Sequence, residues 1–222
     1  MPTTMPMFPL GTALLPGGVL PLHVFEPRYR QMVQDLLAAD GTPEFGQVLI
    51  TRGHEVGGGE ERATVGTIGQ IVRLDALDGG RYALVAIGTR RIQVVRWLDD
   101  DPYPRAEVED WPDDVDDPPH PTAVAAAAAR VATVLALAAA VERTVRGAPA
   151  GEDPSPRAPE ADASRIDVAG DPVAATYQLA AVAPLGPADR YRLLAAVGPT
   201  ARLTLLATIL DDVEAALRFQ LS

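Results

Sequence analysis

The sequence predicts an α+β protein: a β-rich first half that holds one helix, followed by an all-helical second half. Two observations predict it. Up to residue 112 the apolar residues come in short runs broken by turn signals such as Pro-Gly and Asp-Gly-Gly. Beyond it the chain becomes Ala-rich, and its later apolar stretches open on helix-start signals. With 222 residues and 47% hydrophobic content, the chain is long enough to bury a sizeable core. Aromatic residues make up only 5%, so that core is built mostly from Ala, Val, Leu and Ile.

Residues 7–10 read as a short apolar strand, and Leu15-Pro16-Gly17-Gly18 as a turn whose Pro and Gly supply the backbone angles. Residues 19–25 form the next strand. Pro21 cannot donate to a ladder, which places this strand at an edge or beside a bulge. Pro27 suits the first position of a helix, where a missing N–H costs nothing. Tyr29, Met32, Val33, Leu36 and Leu37 then recur at i, i+3, i+4, i+7 and i+8 as one apolar stripe, until Asp40-Gly41 stops the helix. FGQVLIT (45–51) reads as a buried strand, and HEVGGGEER (54–62) as a Gly-rich acidic loop. Strands follow at 63–75, 81–88 and 90–98, the first pair joined through Asp78-Gly79-Gly80. Gly66, Gly69 and Gly88 inside these runs suggest bulges or tight corners. PYPRAEVEDW (102–111) reads as a last strand.

An acidic, Pro-rich joint at 113–121 leads into a helix over 122–146. That helix is long enough to span a bilayer, but Ala contributes little insertion energy. Arg130 near its centre adds a cost of roughly 2.5 kcal/mol or more. We therefore read an Ala-rich helix outside any membrane. Residues 147–165 are rich in Pro, Ala and charge without apolar periodicity, and are expected to be a mobile linker. Asp171-Pro172, Gly186-Pro187 and Gly198-Pro199 open three further helices. The expected domains are 1–112 and 113–222, the second with a flexible linker at about 147–170. The first residues lack the basic-then-apolar pattern of a signal peptide, so the expected location is the cytoplasm.

Composition removes whole classes of chemistry. The chain has no Cys, so disulfides, thiol nucleophiles and Cys-bound zinc are out. All 19 basic residues are Arg, which excludes a P-loop Lys, a Schiff base and a Ser–Lys dyad. The motif G-x-S-x-G is absent, and Ser155, Ser164 and Ser222 lie in the linker or at the terminus. His23, His54 and His120 are far apart and form no metal-ligand spacing. The acidic pairs, such as Glu60-Glu61 and Asp113-Asp114, sit in turns and joints and read as solvated surface charge. A net charge of −11 repels phosphate backbones and speaks against a general nucleic-acid binder. No catalytic set, cofactor or metal site emerges, and the weight moves to a binding module.

The stretch FPLGTALLPGGVLPLHVFEPRYRQMVQD (8–35) resembles the opening of the Lon protease N-terminal, or substrate-binding, domain family. FGQVLI (45–50), VGTIGQIV (65–72), GGRYALVAIGTRRIQVV (79–95) and YPRAEVE (103–109) continue the pattern, and LGPADRYRLLAAVGPTARLTLLATIL (185–210) resembles the family's helical region. The resemblance implies a PUA-like β-barrel followed by a helical bundle. It also implies a stand-alone form without ATPase or peptidase domains, and a non-enzymatic module that binds unfolded or exposed apolar segments. A cellular protease is a conceivable recipient of the cargo, and a PUA-like RNA binder is the alternative reading.

Within LPLHVFEPRYR (20–30), five residues are candidates for binding: His23, Phe25, Glu26, Arg28 and Tyr29. The residues also suggest structural tasks. His23 is expected to be packed and hydrogen-bonded, and Phe25 and Tyr29 to anchor the corner to the core. Glu26 is expected to accept from free helix amides and to face Arg30 four residues on. Arg28 has no evident local partner in the sequence and is the residue most open to a ligand. The expected site is an apolar groove between barrel and helices, with an exposed strand edge beside it.

Overall fold

The computed structural model describes residues 1–53, 60–114, 116, 118–146 and 170–221. The Gly-rich loop up to residue 59, residues 115 and 117 of the acidic joint, and the expected linker at 147–165 lie outside the described residues. The chain forms two compact units. One comprises Met1–Asp113 with Arg190–Ala195, the other Asp114–Asp189 with Ala196–Ser222.

The first unit contains β1 (Thr3–Leu10), β2 (Val19–Val24), α1 (Pro27–Ala38), β3 (Glu44–Arg52), β4 (Glu61–Leu77), β5 (Arg81–Trp97) and β6 (Arg105–Asp110). The strand order is β2-β5-β4-β3-β1-β6, and β5 also pairs with β6. Five strands therefore have a neighbour on each side, whereas among the described residues β2 pairs with β5 alone. The β1–β3 pairing is parallel and the others are antiparallel.

Two strands are longer than the sequence suggested. β1 begins at Thr3 because Thr3–Pro6 pairs with β6 before the strand turns its other edge to β3. The runs 81–88 and 90–98 are one strand, β5. Gly88 marks a close approach there and does not break the strand. A Cβ at this position would stand 2.3 Å from the carbonyl oxygen of Leu15. The turn before β2 follows the expected chemistry: Gly17 has φ 77, and the Gly18 N–H donates to Leu15 O at 2.8 Å. The loop ahead of it is held by buried Gln47, whose amide accepts from Leu14 N–H (2.7 Å) and donates to Thr12 O (2.7 Å).

Two apolar clusters fill this unit. One gathers Met7, Val48, Ile68, Ile92, Val94, Ala106 and Val108 from the mutually paired strands. The other joins Phe8, Leu20, Val24, Phe45, Leu84 and Ala86 to the α1 residues Tyr29, Met32 and Val33. Leu36 is only partly buried and Leu37 is 50% exposed, so the helix's buried stripe is narrower than expected. Eight residues on from Tyr29, Leu37 is rotated about 80° around the helix, off the packed face.

The second unit is helical: α2 (Pro121–Arg146), α3 (Pro172–Val182) and α5 (Pro199–Gln220), with α4 (Pro187–Leu194) divided between the units. Asp171 caps α3 by accepting from Val173 N–H at 2.9 Å, with Pro172 next in line. In α2, Val124, Val131, Val134 and Val141 form one buried stripe, and α2 packs along α5. Among the described residues, α2 is the one helix long and apolar enough to cross a membrane, with a mean hydropathy of 2.1 over its most apolar window. Its central Arg130 forms ion pairs with Asp211 and Glu214 of α5. Arg202 is fully buried, stacks 3.6 Å over the Tyr177 ring and donates to Thr176 and Tyr177 hydroxyls.

Candidate functional site

The corner from β2 into α1 is where the candidate residues lie. In β2, alternate side chains face opposite sides. Leu20 and Val24 are buried and Leu22 partly so, while Pro21, His23 and Phe25 face outward and are exposed. Two expectations fail on this point. His23 is not a packed histidine, and Phe25 is not a core anchor, being 57% exposed. The strand ends at Val24, and the exposed Phe25 that follows it borders a hollow shared with Phe8 and Tyr29.

The charged residues also differ from expectation. Glu26 is the N-cap by position, but its carboxylate makes no cap hydrogen bond. It accepts instead from Arg28 Nε at 3.1 Å. Arg28 therefore has a local partner, and its guanidinium also lies 4.6 Å over the Tyr29 ring. Glu26 is engaged two residues on and not with Arg30. Arg30 sits against Gly80, where an added Cβ would fall 2.5 Å from its guanidinium. Tyr29 is buried as expected, stacked at 4.0 Å on Phe8. Burial pushes its phenol up to about 12, and its hydroxyl has no hydrogen-bond partner.

The outward face of β2 continues across its neighbours. Val19 lies opposite Ile87, Pro21 opposite Val85, and His23 opposite Ala83. The next strand contributes Val72, an extra residue between the Ile71–Ala86 and Arg73–Val85 pairs. Val19, Val72 and Ile87 are all exposed. The result is an apolar strip of Val19, Pro21, Val72, Val85 and Ile87 on three strands. A shallow hollow of about 400 Å³ lies along it, between Pro21, His23, Val85 and the Arg73–Asp75 ion pair. A second hollow, of about 210 Å³, lies alongside β2. Its walls include Phe8 and Leu10 from β1, Pro21, Leu22, His23 and Val24 from β2, and Phe25 and Tyr29 beyond it.

Elsewhere the polar groups are largely tied to one another. Glu60 is not the surface charge expected: its side chain is 1% exposed and accepts from Arg62, which also holds Asp100 and lies over Trp97. Asp113 is likewise buried against Arg91, a residue that also donates to Leu194 O at 2.8 Å and stacks on Trp111. A third hollow, about 510 Å³, has Arg90 held between Glu44 and Asp110 at its rim. No cluster of three or more potential metal ligands occurs among the described residues. The sequence signal for the exposed strip was the strict alternation in β2. Val72 and Ile87 carried no signal, because their exposure depends on a bulge and on a strand neighbour.

The chain resembles known proteins along most of its length. A family model described as the ATP-dependent protease La (LON) substrate-binding domain matches residues 4–212. Lon protease 2 of Myxococcus xanthus is 32% identical over 111 residues, which is 49% of this chain and 13% of that protein. Lon protease of Anaeromyxobacter dehalogenans is 31% identical over the same length, again 13% of the relative. The match thus spans a small part of these relatives. Among solved structures, a Lon N-terminal domain protein from Xanthomonas campestris is 28% identical with a TM-score of 0.63, covering 93% of this chain and 98% of that one. The N-terminal domain of a Mycobacterium avium complex Lon protease has a TM-score of 0.60 at 21% identity, covering 95% and 99%, and speaks to the fold alone.

Proposed function

The chain belongs to the ATP-dependent protease La (LON) substrate-binding domain family, and from that premise we propose that it is a non-catalytic module that holds extended apolar segments of unfolded or partly folded proteins. The observation that carries this reading is the exposed strip of Val19, Pro21, Val72 and Ile87, with exposed Phe25 at the hollow alongside β2. Single exposed apolar residues are ordinary, but a contiguous set on adjoining strands marks an interaction surface. Its rim charges pair locally, Glu26 with Arg28 and Arg73 with Asp75, which favours neutral apolar cargo.

On this reading the mutually paired strands form a PUA-like barrel and the later helices a bundle, with domains at 1–112 and 113–222. The protein works in the cytoplasm, needs no cofactor, and hands cargo to a cellular protease. Of the candidate residues, Phe25 and His23 touch cargo, whereas Glu26, Arg28 and Tyr29 set the shape of the corner that presents them. The overall charge of −11 weighs against RNA as cargo.

Calorimetric titration with a reduced, carboxymethylated unfolded protein and with short apolar peptides tests the proposal. Saturable binding in the micromolar range is expected, with structured RNA giving no heat at low salt. The proposal fails if no saturable signal appears at high micromolar concentration, or if RNA binds and the unfolded protein does not.

A further inference from the structure

We propose that cargo is held by strand addition: an extended segment pairs its backbone with the free edge of β2, at Pro21 and His23. This rests on the binding reading above and names its mode.

The direction of the β2 backbone groups follows from its partner. Gly88 donates to Gly18 O at 2.9 Å and accepts from Gly17 N–H at 2.8 Å, so its peptide groups point toward the β2 side. The register then runs unbroken from Val19–Ile87 to Val24–Tyr82. In an antiparallel ladder, hydrogen-bonded pairs alternate with non-bonded ones. Ala86, Leu84 and Tyr82 therefore bond Leu20, Leu22 and Val24, and the backbone groups of Pro21 and His23 point the other way. Pro21 agrees independently, since proline is tolerated where no ladder partner awaits its N–H. Among the described residues, no strand pairs with that edge. It offers the Pro21 C=O and the His23 N–H and C=O, a row long enough for a few main-chain bonds.

The surroundings choose the occupant. The hollow of about 210 Å³ lies beside this edge, walled by Phe8, Leu10, Leu22 and Val24. It suits an apolar side chain of the added strand, and the next residue of that strand would face outward. The charge at its rim, Glu26, is already paired with Arg28, so nothing there selects a charged side chain. Main-chain pairing is blind to sequence, which suits diverse unfolded cargo. Pro21 shortens the row, which limits pairing of folded sheet edges.

The test uses a fluorescent peptide of alternating Leu and Thr, about eight residues long, and two versions N-methylated at alternate amides. Because side-chain period fixes register, only one version has its methyl groups toward β2. Methylation there is expected to weaken binding about tenfold, and the other version to stay within about threefold. His23→Pro, which removes the edge N–H, should weaken the parent peptide several-fold with an unchanged Tm. Peptide should also slow amide exchange at His23. Equal affinities for the two methylated versions overturn strand addition while leaving the binding reading intact. Failure of all three peptides, the unmethylated one included, overturns the binding reading itself. A dimer that protects His23 without peptide assigns the edge to a second copy and also overturns the proposal.

Discussion

The first unit has two ends that use the same strands differently. At one, β3, β4, β5, β6 and β1 each lie between two neighbours around Met7, Ile68, Ile92 and Val108. Charged side chains there are buried with partners, as Arg91 is with Asp113 and Leu194 O. At the other end β2 has one neighbour among the described residues, and exposed apolar side chains stand on its outward face. Buried ion pairs and exposed apolar side chains thus occupy different places in one sheet. The corner LPLHVFEPRYR belongs to both: Tyr29 is in the core, while Phe25, four residues earlier, is in solvent.

Substitutions should separate the two ends. The largest effect is expected for Arg91→Ala, which removes the ion pair to Asp113 and the bond to Leu194 O. Chemical denaturation should show a loss of about 3 kcal/mol or more, with peptide affinity of the remaining folded protein unchanged. Gly88→Ala comes next, because its Cβ would meet the Leu15 carbonyl at 2.3 Å. The cost should be about 1–3 kcal/mol by the same measurement. Since Leu15 leads into β2, this change should also weaken peptide binding, and so links the two ends.

Phe25→Ala reverses the pattern. Its side chain is 57% exposed, so stability should move by no more than about 0.5 kcal/mol. Peptide affinity should fall by about 1–2 kcal/mol in a fluorescence titration. Equal losses in stability and affinity would mean that Phe25 packs in solution and that the two ends are not separate.

The smallest effect is expected at Tyr29. Its hydroxyl is buried without a partner, so Tyr29→Phe should change stability by less than about 1 kcal/mol, in the stabilising direction. The pH dependence supplies a sharper readout. Burial raises the phenol from 10.0 to about 12, favouring the neutral form in the folded state. Its contribution is complete below pH 10 and is lost as pH rises from 10 toward 12. Tyr103 is also raised, by burial and by its hydrogen bond to Asp35. Tyr29→Phe should therefore flatten the alkaline loss of stability in part, leaving the Tyr103 share.

Much of this was legible in the sequence, and what was not has physical causes. Turn residues and proline positions located most elements, because Pro16-Gly17 and Asp171-Pro172 act through local backbone geometry. The edge position of β2 followed from Pro21 for the same reason. Long-range pairing was hidden. Thr3 and Thr4 become strand residues only through β6, and Gly88 reads as a break until the Leu15 carbonyl is seen above it. Charges were hardest. Glu60 and Asp113 look like surface acids in sequence, and only Arg62 and Arg91 explain why they can be buried. At the corner, the helix-start argument for Glu26 competed with a nearer cation, Arg28, and the cation won. Phe25 suggests burial by its aromatic character, but it lies beyond the end of β2, where nothing in the sequence fixes its packing.

The central claim is that cargo meets the molecule at β2 and its outward face. The most direct measurement is an amide chemical-shift map during titration with an apolar peptide. The account predicts saturable shifts at residues 19–25, Val72, Val85 and Ile87, with Ala106 and Val108 unmoved. Shifts centred on the mutually paired strands, or on the helices of the second unit with β2 silent, would contradict it.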